Sequence, residues 1–338
     1  MMREIGSEFW EVPVCDSTNE IFPYNTEWYL SGRSALIAII KDIKKRISFN
    51  SVALPSWCCD SMIQPFLNEY ISVKFYSVEF KNGQPRYDFS GIYDCDAMLI
   101  MDYFGYIRAI DHNFKGLIIN DITHSVFLKK IHKSDYVFGS LRKWAGFFTG
   151  GFAYKNDGGK LECYQTAKDD RYIKIRKLAM SKKAKYISGK TDKKDFLEDF
   201  SLAEDVLDEF FCGSADDFDI ARAKQIDVEF IKSRRRENAS VILGQFADLA
   251  VFSELKEDDC PLFVPLVIKN GNRDRLRKHL IDKKIYCPVH WPFTKLHDLN
   301  QEQLEIYTNE ISIVCDQRYV AEDMERICEE IKVFLNRG

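Results

Sequence analysis

Short, nearly unbroken runs of apolar residues punctuate the chain between about residues 30 and 155. SVALP (51–55), ISVKFYSV (71–78), DAMLIMD (96–102), GLIINDI (116–122), DYVFGS (135–140) and GGFAY (150–154) each have the length and content of a buried strand. Several lack polar alternation, as expected where both faces of a sheet are covered. Leu36, Ile39, Ile40, Ile43 and Ile47 fall on one face of a helix over 35–47, and 61–70 carries a weaker helical pattern. Strand and helix in alternation predict a mostly parallel α/β sheet flanked by helices.

The pattern changes after residue 160. The stretch 168–194 is markedly basic and 198–219 carries only acidic charges, which reads as a solvated helix pair of opposite bias, with an oligomer contact as the alternative. A further helix is expected at 233–245. Strand (261–269), helix (273–283), strand (285–291), loop, strand (311–315) and helix (322–336) then form a compact α+β unit. The expected division is an N-terminal segment (1–30), a large α/β domain (31–230) and a smaller C-terminal α+β domain (231–338).

A length of 338 residues suits about two domains. With 46% hydrophobic and 30% charged residues the chain is no disordered protein. Forty-eight Lys and Arg against 52 Asp and Glu leave a net charge of −4, which argues against a general nucleic-acid binder. No run approaches the ~20 apolar residues of a membrane span, and MMREIGSEFWEVPVC lacks the apolar core of a secretion signal, so a cytoplasmic protein is expected. Ten scattered cysteines without a CxxC pair point to reduced, packed thiols and to no metal.

Four places could carry chemistry. SGRSAL (31–36) puts small residues before an apolar helix, where unpaired N–H groups and the helix dipole attract an anion; an ordinary Ser cap with a Gly entry is the alternative. Asp121 in IINDITHS ends an apolar strand, where open α/β sheets bind ligands; capping a following helix is the alternative. In GSLRKWAGFFTGG (139–151), Lys143 follows a strand and is flanked by Trp144, Phe147 and Phe148. Apolar neighbours and Arg142 would lower its pKa and free its amine, although lysines beside aromatics are often only snorkelling. CPVHWPF (287–293) sets His290 and Trp291 between two prolines, a rigid strand end or a site wall. An anion-binding helix start, a strand-end carboxylate and an activated lysine match the three handles of pyridoxal 5'-phosphate (PLP): its phosphate, its ring nitrogen and its aldehyde.

In this order and spacing the chain resembles the fold-type I PLP enzymes, and among them the DegT/StrS-type sugar aminotransferases, from about residue 28 to 335. SGRSAL resembles the phosphate-binding turn, with Gly32, Arg33, Ser34 and Ala35. LPSWCCDSM (54–62) resembles the loop whose side chain packs on the cofactor ring, at Trp57 or Cys59. INDITHS resembles the strand-end acidic motif, with Asp121 on the pyridine nitrogen and His124 three residues on. SLRKW followed by TGG resembles the Schiff-base segment, with Lys143 as the imine lysine and Ser140 on the phosphate. SIVCDQRYVAEDMERI (312–327) resembles the family's C-terminal ending. The resemblance implies transamination through a Lys143 internal aldimine, from glutamate or glutamine to a keto-sugar, nucleotide-linked, in a homodimer. A PLP-dependent dehydratase or lyase, or a non-catalytic binding protein on the same scaffold, are the alternatives.

Overall fold

The computed structural model describes residues 4–128, 132–162, 170–209 and 213–336. In chain order the elements are β1 (Ile5–Gly6), β2 (Glu27–Tyr29), α1 (Gly32–Arg46), β3 (Ser51–Pro55), α2 (Asp60–Asn68), β4 (Ser72–Lys81), β5 (Gln84–Asp88), β6 (Ala97–Met101), β7 (Leu117–Asp121) and β8 (Tyr136–Ser140). A 3-10 turn (Leu141–Lys143), β9 (Gly151–Lys155), α3 (Asp170–Ile187), α4 (Phe196–Glu209), α5 (Asp217–Lys224) and α6 (Val228–Phe246) follow. The chain then gives β10 (Phe263–Val267), α7 (Arg273–Asp282), β11 (Ile285–Tyr286), α8 (Gln301–Asn309), β12 (Glu310–Val314) and α9 (Ala321–Leu335).

The main sheet has eight strands in the order β2-β9-β8-β7-β6-β3-β4-β5. Its middle, β8-β7-β6-β3-β4, is parallel, while β2, β9 and β5 join antiparallel. Every residue of β6 and β8 is buried, because the apolar runs read from the sequence lie between covering layers. Parallel register sets Met101, Asp121 and Phe138 side by side, so the loops after these strands leave from one edge. Helix α1 begins earlier than its apolar stripe. Ser31 caps it by accepting the Ser34 N–H, and Gly32, Arg33 and Ser34 form the first turn. The loop expected at 292–310 contains α8, opened by an Asn300–Gln303 capping box.

A second core gathers α6, α7, α9, β10 and β12, and Ile5 of β1 is one of its members. Helix α6 runs across the expected boundary at 230/231. The strand expected at 285–291 is only β11, which pairs in parallel with β1. Pro288 has no N–H for a ladder; its carbonyl instead accepts the Ser312 N–H. The basic and acidic stretches form the α3–α4 pair, joined by Lys182–Asp199 at 2.7 Å and by Arg176 to Glu204 at 3.2 Å. Residues 168, 169 and 210–212 of those stretches lie outside the described part.

Candidate active site

Three chain segments meet at the carboxyl edge of the parallel strands. At the first, Ser31 takes the N–H groups of Ser34 and Ala35, which leaves those of Gly32 and Arg33 without a partner among the described residues. The Arg33 guanidinium turns aside to Asp208 at 2.7 Å. A methyl group placed on Gly32 would lie 3.3 Å from the Ser140 Cβ, so the helix start and the end of β8 form one narrow cradle. The Ser140 hydroxyl has no partner among the described residues and can join the helix N–H groups on an anion.

Asp121 ends β7 and is buried, 4% exposed. Its Oδ1 accepts the Thr123 N–H at 2.7 Å in a tight turn that starts no helix. Burial pushes its carboxyl up to about 6, against the opposing pull of that hydrogen bond and of Lys143. A buried carboxylate held so high favours a cationic partner, such as a protonated ring nitrogen.

Lys143 closes the 3-10 turn after β8, and its side chain is exposed. The Trp144 indole donates to the Thr123 carbonyl at 2.8 Å, pinning the lysine turn to the Asp121 loop. The Trp144 carbonyl in turn accepts from Gln317 at 2.7 Å, and Arg235 lies over the indole ring at 4.7 Å. The aromatic residues expected to cage the lysine do not surround it. Trp144 and Phe147 face the core beneath the turn, Phe148 packs with α3 and α4, and Arg142 pairs with Glu204. Lys143 instead lines a cavity of about 420 Å³ with His290, Arg277 and Arg318.

The candidate ring-lining residues separate. Trp57 is fully buried, stacks on Tyr103 at 4.9 Å and donates its indole N–H to the His290 carbonyl at 2.6 Å. Cys59 stands at the N-cap position of α2 and is half-buried, and burial raises its thiol against the Ser61 hydrogen bond and the charge of Lys143. His124 makes no hydrogen bond to Asp121. Its Nδ1 accepts the Phe104 N–H at 3.4 Å and its ring stacks on Trp291 at 5.6 Å. Burial and Lys143 hold it well below the ordinary histidine range, so it is neutral. Ala35 sits buried on the core side of α1.

The serine cap that the sequence leaves open as the alternative at SGRSAL is present, at Ser31, beside the two unpartnered N–H groups. Sequence reasoning missed the cationic cavity wall. Arg318 is matched by Asp316 at 2.8 Å and Lys194 by Glu4 at 2.5 Å, whereas Arg277 meets no carboxylate among the described residues. No pattern joins cations so far apart in the chain.

No protein-family model matches the chain, and no curated protein matches its sequence. Its fold is that of known PLP enzymes. Helicobacter pylori PseC, an aminotransferase of pseudoaminic acid biosynthesis, superposes with a TM-score of 0.66 at 13% identity, over 98% of this chain and 100% of that one. A DegT/DnrJ/EryC1/StrS aminotransferase from Brucella abortus gives 0.60 at 13%, over 91% and 85%. A GDP-4-keto-6-deoxymannose-3-dehydratase with a trapped PLP-glutamate adduct gives 0.61 at 15%, over 90% and 88%. The mostly parallel sheet with its helical layers is thus the fold-type I architecture.

Proposed function

We propose that the chain is a PLP-dependent aminotransferase that moves an amino group from glutamate or glutamine to a nucleotide-linked keto-sugar. The observation that carries this reading is the convergence of three unlike groups on one sheet edge: the Gly32–Ser140 cradle, the buried Asp121 and the exposed Lys143. Their chemistry fits the phosphate, ring nitrogen and aldehyde of PLP, which when bound supplies an electron sink for the carbon that loses its proton.

Each residue has its own work. The N–H groups of Gly32 and Arg33 and the Ser140 hydroxyl hold a phosphate. Asp121 keeps a proton on the ring nitrogen, because opposite charge in a buried setting favours both ionised partners. The Lys143 amine would be the group that holds the aldehyde end, and once free it is placed to take and return a proton at the substrate carbon. Cys59 and neutral His124 would line the ring, and Trp291 backs His124. Arg277 and the Lys143 wall give an anionic substrate tail a counter-charge, consistent with a nucleotide diphosphate. Leu178, Leu197, Leu202 and Phe218 stand exposed on α3–α5, which supports a homodimer. Among the described residues eight cysteines are free and no helix is long and apolar enough to cross a membrane, which supports a reducing cytoplasm.

The test is direct. Purified protein incubated with PLP gains a yellow absorption band, borohydride bleaches it, and mass spectrometry finds the pyridoxyl group on the Lys143 peptide. Lys143→Ala shows neither. Glutamate then converts the bound cofactor to its amine form, and the sugar product, an amino sugar with its hydroxyl groups kept or a deoxy sugar, separates transamination from dehydration. Failure of the wild type to take up PLP overturns the reading.

A further inference from the structure

Beside the cavity, three buried side chains that the site above does not use form a continuous hydrogen-bonded row. Glu310 and Ser312 begin β12, two residues apart and therefore on the same face. The Glu310 Oε2 accepts the His290 N–H at 2.7 Å, its Oε1 meets the Ser312 hydroxyl, and the Ser312 Oγ lies 2.8 Å from the His290 Nδ1. Glu310 and Ser312 are wholly buried and His290 is 5% exposed. The imidazole stands edge-on to Phe104 at 5.2 Å and to His124 at 5.6 Å, and lines the cavity that holds Lys143. Its Nε2 has no hydrogen-bond partner among the described residues.

A row of this kind runs in one of two directions. With a proton on Glu310, the carboxyl donates to Ser312, Ser312 donates to Nδ1, and Nε2 carries the ring proton. With Glu310 ionised, Nδ1–H donates to Ser312, Ser312 donates to the carboxylate, and Nε2 offers a lone pair. We propose that Glu310 and Ser312 are positioning residues that set the tautomer of His290, and that His290 Nε2 delivers a proton to a carbonyl oxygen of the substrate in the Lys143 cavity. This role rests on the transaminase reading; the tautomer control does not.

The chemistry balances. Replacing a ketone oxygen by nitrogen forms a C=N bond, breaks the C–O bond and releases water, so the oxygen must gain two protons. One passes from the attacking nitrogen. The other comes from Nε2–H, while Nδ1 is refilled from Ser312 and Ser312 from Glu310, so the histidine never holds a net charge. The nitrogen's second proton leaves to solvent, one returns from the cavity to Nε2, and the row runs back from Nδ1 through Ser312 to Glu310, which restores the starting state.

Surrounding groups agree with a protonated start. Burial pushes the Glu310 carboxyl up to about 8, against its hydrogen bonds and the nearby Arg273 of α7. Arg273 spends its Nη1 on the Tyr307 and Glu310 carbonyls. Cys287, after β11, faces the same carboxyl, and burial raises it to about 12. Lys143 and His124 face His290, which burial and those two neighbours hold well below the ordinary histidine range, hence neutral.

Nitrogen-15 NMR of the six-histidine chain without cofactor tests this, with His290→Gln assigning the signal. In the wild type the His290 pattern should pass from the Nε2–H to the Nδ1–H tautomer with a midpoint near pH 8. Glu310→Gln, whose amide mimics the protonated acid, should hold the Nε2–H form from pH 6 to 10. Ser312→Ala should abolish the transition and, with PLP and a keto-sugar acceptor, lower kcat for amination roughly 100-fold with KM unchanged. A wild-type tautomer constant from pH 6 to 10, or an unaltered transition in Ser312→Ala, overturns the tautomer control. A lost transition with unchanged kcat in Ser312→Ala overturns only proton delivery. Failure to bind PLP leaves the tautomer result standing and removes the transaminase reading instead.

Discussion

Asp121→Asn keeps the side-chain shape and the oxygen that accepts the Thr123 N–H, but removes the ionisable proton. Burial raises this carboxyl from 3.8 to about 6, two units at about 1.4 kcal/mol each, or about 3 kcal/mol as an upper bound. Its folded value lies above its unfolded one, so the native state binds the proton more tightly. The cost is absent below pH 3.8, grows as pH rises and is complete above about pH 6. The cofactor-free variant should therefore be more stable than the wild type by up to about 3 kcal/mol at pH 8, and equal to it near pH 4. Urea unfolding at both pH values reads this as a midpoint shift of roughly 1 M at the upper pH only. Adding PLP should reverse the order, because a protonated ring nitrogen gives the wild-type carboxylate the partner it lacks. An equal gain at both pH values, or a loss at pH 8, would refute the reasoning.

Ser140→Ala should weaken PLP roughly 10- to 100-fold, the effect of about 1.5–3 kcal/mol from one hydrogen bond to a charged group. Pyridoxal without its phosphate should bind both forms alike, as fluorescence titration would show. Lys183, buried against Trp10 and donating to the Ser7 hydroxyl and the Glu8 carbonyl, is pushed down to about 7 by burial and by Arg318. Its folded value lies below its unfolded one, so the cost of its charge is full below pH 7 and fades toward pH 10.5. Relative to wild type, Lys183→Met should be more stable at pH 6 than at pH 9.5; a pH-independent difference would contradict this.

The large sheet was legible because β3, β6, β7 and β8 are buried on both faces and so read as apolar runs. Strand β5 (QPRYD) was not, since it is an edge strand with exposed residues at both ends and in the middle. Helix α8 (QEQLEIYTN) hid because only Tyr307 is fully buried, so it has almost no apolar stripe. The motif order located the Gly32, Asp121, Ser140 and Lys143 segments, which meet at one sheet edge because parallel strands end together. The surroundings of Lys143 were misjudged, since sequence neighbours on a tight turn point different ways. Glu310 was passed over as the residue before an apolar strand, and nothing local shows that its carboxyl meets a histidine 20 residues earlier.

Strand β1 has a consequence for synthesis on the ribosome. Its partner, Ile285–Tyr286, is made about 280 residues later, which at roughly 5–20 residues per second is a delay of about 15–60 s. Until then Ile5 has no apolar core to enter, and Gly6, whose backbone packs too closely on Tyr286 for any side chain, has nothing to pack on. Residues made early are thus among the last to settle, and until they do, the rim of the cavity formed by Glu4–Phe9 stays open to chaperones and proteases.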